Sequence, residues 1–325
     1  MSSALCRPLL ILDLHPVLVD IGAAGVPPTI WQPIARQSCY VGFDADPRAV
    51  SQASRGTFYQ ETVLNEAVTE DKVSEVVFHL TRSPYCSSRL KPDSKSLERF
   101  LFSDLFMVER EARVRATNLN EVLRQLNLAI IDWIKLDTQG TDLRLFQSLR
   151  AEVRDHVLAL DIEPGLIDAY EEEDLFVEAH EQLTRSGFWL SRLEVHGAIR
   201  MRRATLKYLA AQTRNIGEEM ISESTRKSPA WCEARYFRAV ESLEPSRVSQ
   251  RDYVLLWLFA MLDHHFGVAL DLAVDYEKVF GSDLVSRILL DEPLRQIRRD
   301  RPRAWFRKFK SLLPEPLKRA VRRCV

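Results

Sequence analysis

Through the first two hundred residues, short continuous apolar runs alternate with stretches in which an apolar residue returns every third or fourth position. Runs of the first kind suit strands buried on both faces, and stretches of the second kind suit helices laid over them. The pattern predicts a doubly wound α/β domain from about residue 9 to residue 203. Five strands are expected, at Val17 to Ile21, Cys39 to Asp44, Val76 to Leu80, Ile130 to Leu136 and His156 to Ile162. A late hairpin, Trp189 to Val195 and Ala198 to Arg202 around His196-Gly197, would complete the sheet with an antiparallel edge. Helices are expected over Pro28 to Arg36, Pro47 to Ser54, Asn120 to Gln125, Asp142 to Arg150 and Leu175 to Ser186, the last capped by Gly187. The segment from Cys86 to Arg115 shows no clear period and reads as a long excursion over the active face.

Beyond Arg203 strand patterns disappear, and Tyr253 to Phe266 and Ala269 to Phe280 read as helices. The expected organisation is a sheet domain over residues 1–203, a helical appendage over 204–294 and a basic amphipathic tail over 295–325. Thr213 to Pro229 is polar enough to be a linker, and neither internal repeats nor low-complexity segments are evident.

Composition narrows the class. The hydrophobic share of 46% is ordinary for a globular chain. No uncharged apolar run approaches the roughly 18 residues that cross a bilayer. Asp13, His15 and Asp20 interrupt the run from Leu9 to Ile21, so a buried strand explains it better than a signal peptide. The five cysteines are scattered without a paired CxxC spacing, which argues against a zinc site or a disulfide framework; no metal is expected, and a soluble, cytoplasmic protein with reduced thiols is.

Net charge of −1 hides an asymmetry, because twelve Lys or Arg and two acidic residues from Arg295 onward leave 33 basic against 44 acidic before it. Trp305, Phe306, Phe309, Leu312 and Leu313 fall on one face of a helix with Arg307, Lys308 and Lys310 on the rest. Residues 303–323 would suit peripheral contact with the anionic inner face of a membrane. Packing on the protein's own acidic body or on a partner would use the same face. Nucleic acid is not expected as a partner, since no binding module accompanies the charge.

Three segments could carry chemistry. In the first, Asp20-Ile21-Gly22-Ala23-Ala24-Gly25, a strand ends in a turn of small residues whose backbone a ligand's polar groups could approach. A plain turn would look the same. In the second, Gly42-Phe43-Asp44 ends a strand in a carboxylate placed to accept hydrogen bonds from ribose hydroxyls, with Asp46 nearby as an alternative or as a helix cap. The third, Lys135-Leu136-Asp137-Thr138-Gln139-Gly140, is the most specific. Lys135 and Asp137 alternate on one strand and so share a face, where they could form a salt bridge that orients the carboxylate. A purely structural ion pair is the competing reading.

Together these segments resemble the FkbM family of S-adenosylmethionine-dependent methyltransferases over roughly Val17 to Arg203. The matching stretches are VDIGAAG at 19–25, GFDADP at 42–47, CSSRLKPD at 86–93, NLNEVL at 118–123 and IKLDTQGTDLRLFQSL at 134–149, followed by LDIEPGLIDAYEEEDLF at 160–176. The resemblance implies a class I methyltransferase sheet, S-adenosylmethionine as cofactor and an oxygen acceptor on a sugar, glycan or other small molecule. Carried over, Asp20, Gly22, Ala23 and Gly25 would surround the methionine end, and Asp44, with Asp46 beside it, would hold the ribose. Asp137 would face the acceptor with Lys135 and Gln139 beside it, and Glu163 would stand across the cleft. The chain departs from the family pattern at Val26-Pro27-Pro28, at Asn120 where an acid is usual, and at Asp44 where a glutamate is typical.

Transfer to oxygen needs alignment, exclusion of water and a base, for which Asp137 is preferred over Glu163. His196 and His79 compete for that role. Ser87, Ser88 and His196 are expected on the acceptor side. Two rival readings remain: a nicotinamide-dependent oxidoreductase, which would lack the full GxGxxG spacing, and a catalytically idle scaffold of the same fold.

Overall fold

The computed structural model describes residues 2–23, 26–45, 56–213, 217–243 and 248–312, with side chains omitted for 2, 3 and 300–312. The chain divides into two compact units, residues 15–248 and a unit combining 1–14 with 249–325.

Among the described residues ten strands lie in the larger unit: β1 (Val17–Ile21), β2 (Cys39–Phe43), β3 (Gln60–Leu64), β4 (Ala67–Thr69), β5 (Glu75–Thr81), β6 (Val108–Asn118), β7 (Trp133–Leu136), β8 (Ala159–Ile162), β9 (Phe188–Ala198) and β10 (Ser228–Arg238). Seven of them form one sheet in the order β3-β2-β1-β7-β8-β10-β9. The first five of that order run parallel, and β10 lies antiparallel to both of its neighbours. Every residue of β1 and β2 is buried, as a parallel sheet covered on both faces requires.

On one face Val19, Phe43, Ile134 and Leu160 pack with Leu123, Val153 and Leu183 from the covering helices. On the other, the three-ten helix Thr29–Gln37 brings Trp31 edge-on to Trp133, with ring centroids 5.9 Å apart. Full burial of each such side chain contributes about 1.5–3 kcal/mol, so this double cover dominates the stability of the sheet.

Polar locks set the register. The carboxylate of Asp132 accepts the Val17 N–H at 2.7 Å, aligning the starts of β1 and β7. Arg235 on β10 donates to both oxygens of Asp161 directly opposite on β8, at 2.7 and 3.0 Å, while its guanidinium lies over Trp133.

The sequence pattern and the structure differ in several places. Gly197 does not turn a hairpin: β9 runs straight through His196-Gly197 and pairs with β10, inside the span expected to be a helical appendage. A period-2 signal for β10 exists in Ala230, Cys232, Ala234 and Tyr236, all buried, but small residues alternate weakly against charged ones. The stretch expected as a linker holds a helix, Glu218–Glu223, and the start of β10.

Val76 to Leu80 is a strand, yet it belongs to a separate three-stranded sheet ordered β4-β6-β5. Val77 is 43% exposed, which a central parallel strand does not allow. Within the excursion from Cys86 to Arg115 lies most of β6. The helix expected at Pro28 to Arg36 is three-ten in form, with Pro33 lacking an N–H to donate. The helix expected at Pro47 to Ser54 lies outside the described residues.

In the smaller unit Gln250–Leu262 is apolar all round and its residues from Asp252 onward are buried. A capping box between Ser249 and Asp252 starts it, and Trp257 donates to the Leu289 carbonyl at 3.0 Å. Phe266–Phe280 and Leu284–Leu312 follow, the latter continuous across the expected boundary at 294/295. The side chains of residues 303–323, on which the membrane expectation rests, lie outside the described residues. Among the described residues no helix is long and apolar enough to cross a membrane.

Arg238 closes the larger unit. It donates to the carbonyls of Val157, Ser186 and Arg154 at 2.8, 3.0 and 3.0 Å and lies 4.1 Å from the Phe188 ring centroid. Burial brings its pKa down to about 10, still charged at neutral pH. Arg238→Met leaves three carbonyls without that donor, and unsatisfied buried groups cost about 1–3 kcal/mol each. The expected result is a fall in melting temperature of at least about 5 °C by calorimetry. A change within about 1 °C would show that water replaces the guanidinium at no cost.

Candidate active site

The strand order reverses at β1: the chain moves from β1 to β2 and β3 on one side, and through β7 and β8 on the other. A crevice opens at the carboxyl ends of strands where such a reversal occurs. A cavity of about 400 Å3 lies there. Its wall takes Gly22 from just beyond β1, Asp44 from beyond β2, Asp137 from beyond β7 and Glu163 from beyond β8.

Close backbone approach builds the cavity floor. Gly22 has φ +84°, and a Cβ there would stand 2.2 Å from the Asp137 carbonyl oxygen, so no other residue fits without displacing the end of β7. After Asp137 the chain turns through Gln139 at φ 57° and Gly140 at φ 108°. Buried Asp142 braces this turn, accepting the N–H of Thr138 at 2.9 Å and of Glu163 at 2.8 Å. Ser88 braces it from the far side by donating to the Gln139 carbonyl at 2.8 Å.

Charge is organised around Lys135. Its ammonium stands 3.3 Å from Asp137 and 3.5 Å from Asp20, while Tyr40 on β2 donates to the other oxygen of Asp20 at 3.0 Å. Burial alone would lower the Lys135 pKa, but the two carboxylates hold it above its ordinary range. Burial raises Asp20 despite Lys135 and Tyr40. The remaining oxygen of Asp137 accepts from Gln139 at 2.8 Å, and the Tyr170 hydroxyl is 3.0 Å from the Gln139 side-chain oxygen.

The structure brings Gly22, Asp44, Asp137, Gln139, Glu163, Ser87 and His196 into the wall of this one cavity. Asp20, Ala23, Lys135 and Ser88 are placed elsewhere. Asp20 follows Val19 and precedes Ile21, so strand alternation turns it to the opposite face, toward Tyr40. Ala23 is buried, its N–H donating to the Phe43 carbonyl. The Lys135 ammonium meets Asp137 from outside the wall, and Ser88 holds the Gln139 carbonyl. Gly25 and Asp46 lie outside the described residues.

His79 pairs with Glu111 across β5 and β6, away from the cavity wall. Burial pushes the Cys86 thiol up to about 11, which leaves no thiolate for nucleophilic work. Asn120 ties Ser148 and Arg150 together.

Sequence reasoning misses several wall residues. Val68 and Phe78 come from β4 and β5, Arg89 from the excursion, and Trp231 and Glu233 from β10. A period-2 count over residues 60–69 and 228–238 is the signal that could have found Val68, Trp231 and Glu233. His196 meets Glu233 at 3.2 Å and stacks on Trp231, an arrangement that depends on the unanticipated β9–β10 pairing.

A seven-stranded sheet with one antiparallel strand and a cavity at its reversal defines the class I methyltransferase fold. The family model described as the methyltransferase FkbM domain matches residues 34–202, more than half of the 325, and the chain belongs to that family. The matched segment begins after β1 and its glycine turn, later than the resemblance from Val17 implied.

A comparison with curated proteins finds no match. Among solved structures, a TehB-like SAM-dependent methyltransferase from Corynebacterium glutamicum ATCC 13032 Kitasato is similar over 73% of this chain and 88% of its own, at 11% identity and a TM-score of 0.27. Family membership makes S-adenosylmethionine the cofactor. The cavity suits such a group: Val68 and Phe78 offer apolar surface to a flat base, and Asp44 lies in the same wall.

Burial, reinforced by Asp137 and Asp142, pushes the Glu163 carboxyl well above its usual range against the pull of Lys135, and burial brings Asp142 up to about 6. Both carboxyls retain in the folded state a proton that the unfolded chain releases. Their contribution to stability is therefore full below about pH 4 and declines as pH rises through the folded values. Glu163→Gln is expected to flatten the decline in melting temperature between about pH 5 and 8, by at most about 1.4 kcal/mol per pH unit, and to raise stability at the upper end. Parallel curves for variant and parent would show that Glu163 ionises normally in the fold.

Proposed function

We propose that the protein transfers a methyl group from S-adenosylmethionine to a hydroxyl oxygen of a small-molecule or glycan acceptor. The observation that carries this reading is the convergence of Gly22, Asp44 and Asp137 from three strand ends on one cavity at the sheet's reversal. When bound, the cofactor supplies the methyl group: the acceptor oxygen bonds to the methyl carbon, the carbon–sulfur bond breaks to leave a neutral thioether, and the hydroxyl proton passes to a base on the protein.

The protein's own part is placement and proton transfer. Asp44 accepts hydrogen bonds from the ribose hydroxyls, and glycine at position 22 lets the backbone approach. Asp137 takes the proton, its carboxylate held in one orientation by Lys135 and Gln139. Glu163, kept protonated at neutral pH by burial and by neighbouring carboxylates, positions the acceptor. The His196–Glu233 pair on the same wall is a second proton acceptor within this reading.

Titration calorimetry with S-adenosylmethionine and S-adenosylhomocysteine tests the cofactor site. Hydrogen bonds to a charged group contribute about 1.5–3 kcal/mol, so Asp44→Ala is expected to weaken binding by about 10- to 100-fold. Asp137→Asn is expected to lower turnover by about 100-fold or more while cofactor affinity changes less than about threefold. Unaltered turnover in Asp137→Asn would transfer the base to His196, and full cofactor affinity in Asp44→Ala would remove the ribose role.

A further inference from the structure

A second cavity, of about 290 Å3, adjoins the first and shares Tyr85, Gln139, Glu163 and Trp231 with it. Its remaining wall is mostly apolar, with Phe102, Leu105, Phe106 and Ile167 as its larger hydrophobic side chains and Ser83 and Glu173 as its polar ones. Phe102 lies parallel to Trp231, with an interplanar angle of 10° and centroids 6.2 Å apart, and Phe106 stands edge-on to Phe102 at 5.1 Å. None of these residues belongs to the sheet's main core; they come from the excursion before β6, the loop after β8 and β10.

We infer that this second cavity is the acceptor subsite and that it takes a flat aromatic hydroxyl compound of about two rings. The inference rests on the methyl-transfer reading and chooses within it. Size gives the first argument: an apolar cavity of about 150 Å3 takes up benzene, so this one has room for about two such rings. Shape gives the second, since parallel and edge-on rings in the wall offer surfaces on which a planar molecule stacks.

Polar accounting gives the third. The two N–H groups that Glu173 accepts in this wall, from Ala169 at 2.7 Å and Tyr170 at 3.1 Å, fall on one of its oxygens. The Gln139 side chain is engaged with Asp137 and Tyr170. Beside Ser83, Glu163 and the second Glu173 oxygen the wall offers few polar partners, so a sugar seated here would lose the hydration of its further hydroxyls, at about 1–3 kcal/mol each. An aromatic ring has one hydroxyl to satisfy. Glu163 and Gln139 stand where the two cavities meet, and Gln139 donates to Asp137 in the wall of the first, so a hydroxyl at that junction lies one side chain away from the proposed base.

The test uses the full chain and two titration series. The first titrates S-adenosylhomocysteine alone; the second titrates 2-naphthol, or methyl α-D-glucopyranoside, into protein saturated with S-adenosylhomocysteine. Two variants accompany the parent: Leu105→Glu, at a side chain 44% exposed and so little involved in folding, and Ala169→Phe, which fills the cavity and is checked by its melting curve. The expected result is saturable 2-naphthol binding, weakened at least tenfold in Leu105→Glu and in folded Ala169→Phe, with S-adenosylhomocysteine affinity within twofold of the parent and weaker binding of the glucoside.

If S-adenosylhomocysteine binds but 2-naphthol does not, or the glucoside binds more tightly, or Leu105→Glu leaves 2-naphthol affinity unchanged, the subsite inference is overturned and methyl transfer stands. If S-adenosylhomocysteine itself does not bind, the underlying reading fails and the subsite assignment goes with it.

Discussion

One ammonium ion organises the centre of this protein. Lys135 on β7 lies between the carboxylates of Asp20 on β1 and Asp137 at the end of its own strand, and Tyr40 on β2 completes the chain through Asp20. Three neighbouring strands thereby meet in one partly buried ionic array beside the reversal of strand order. Two carboxylates share one cation, so removing the lysine would leave like charges facing each other with only partial screening. The array fixes the direction in which Asp137 presents its carboxylate to the cavity.

Around that array the division of labour between the two faces of the sheet becomes intelligible. The face bearing Val19, Phe43, Ile134 and Leu160 is apolar and packs against the covering helices. The opposite face admits Asp20, Tyr40, Lys135, Asp161 and Arg235, each with a partner of opposite charge or a hydrogen bond. Strand ends beyond this boundary turn outward through Gly22 and through Gln139-Gly140, where positive φ angles bring the backbones of β1 and β7 together. The cavity-lining acids thus stand on short turns anchored to strands, which keeps their spacing independent of longer loops. The walls of the second cavity come instead from connecting segments and from β10.

Much of this is legible in the amino-acid order. β1, β2, β7 and β8 announce themselves because strands buried on both faces read as predominantly apolar runs, here interrupted at most by one charged residue each. The turn at Gly140, the cap at Gly187 and the pairing of Lys135 with Asp137 follow from local geometry that needs no distant partner. Strands that alternate small with charged residues, such as β10, or that lie half exposed, such as β5 and β6, are harder to see because their periodicity only acquires meaning once a neighbour covers one side. The neighbours of Asp20 in sequence point it to the cavity, and alternation along β1 sends it the other way.

What the amino-acid order determined by itself was therefore local: which segments are strands buried on both faces, where the chain must turn through glycine, and which acids stand at strand ends. Only the tertiary structure decided which of those acids share a cavity, that β9 and β10 form a pair carrying His196, Trp231 and Glu233 to its wall, and that a second, aromatic chamber adjoins it. The reason is physical. Turn and strand preferences are set by sterics within a few residues, whereas a cavity is the space left between elements distant along the chain, and its shape and polarity exist only after they pack.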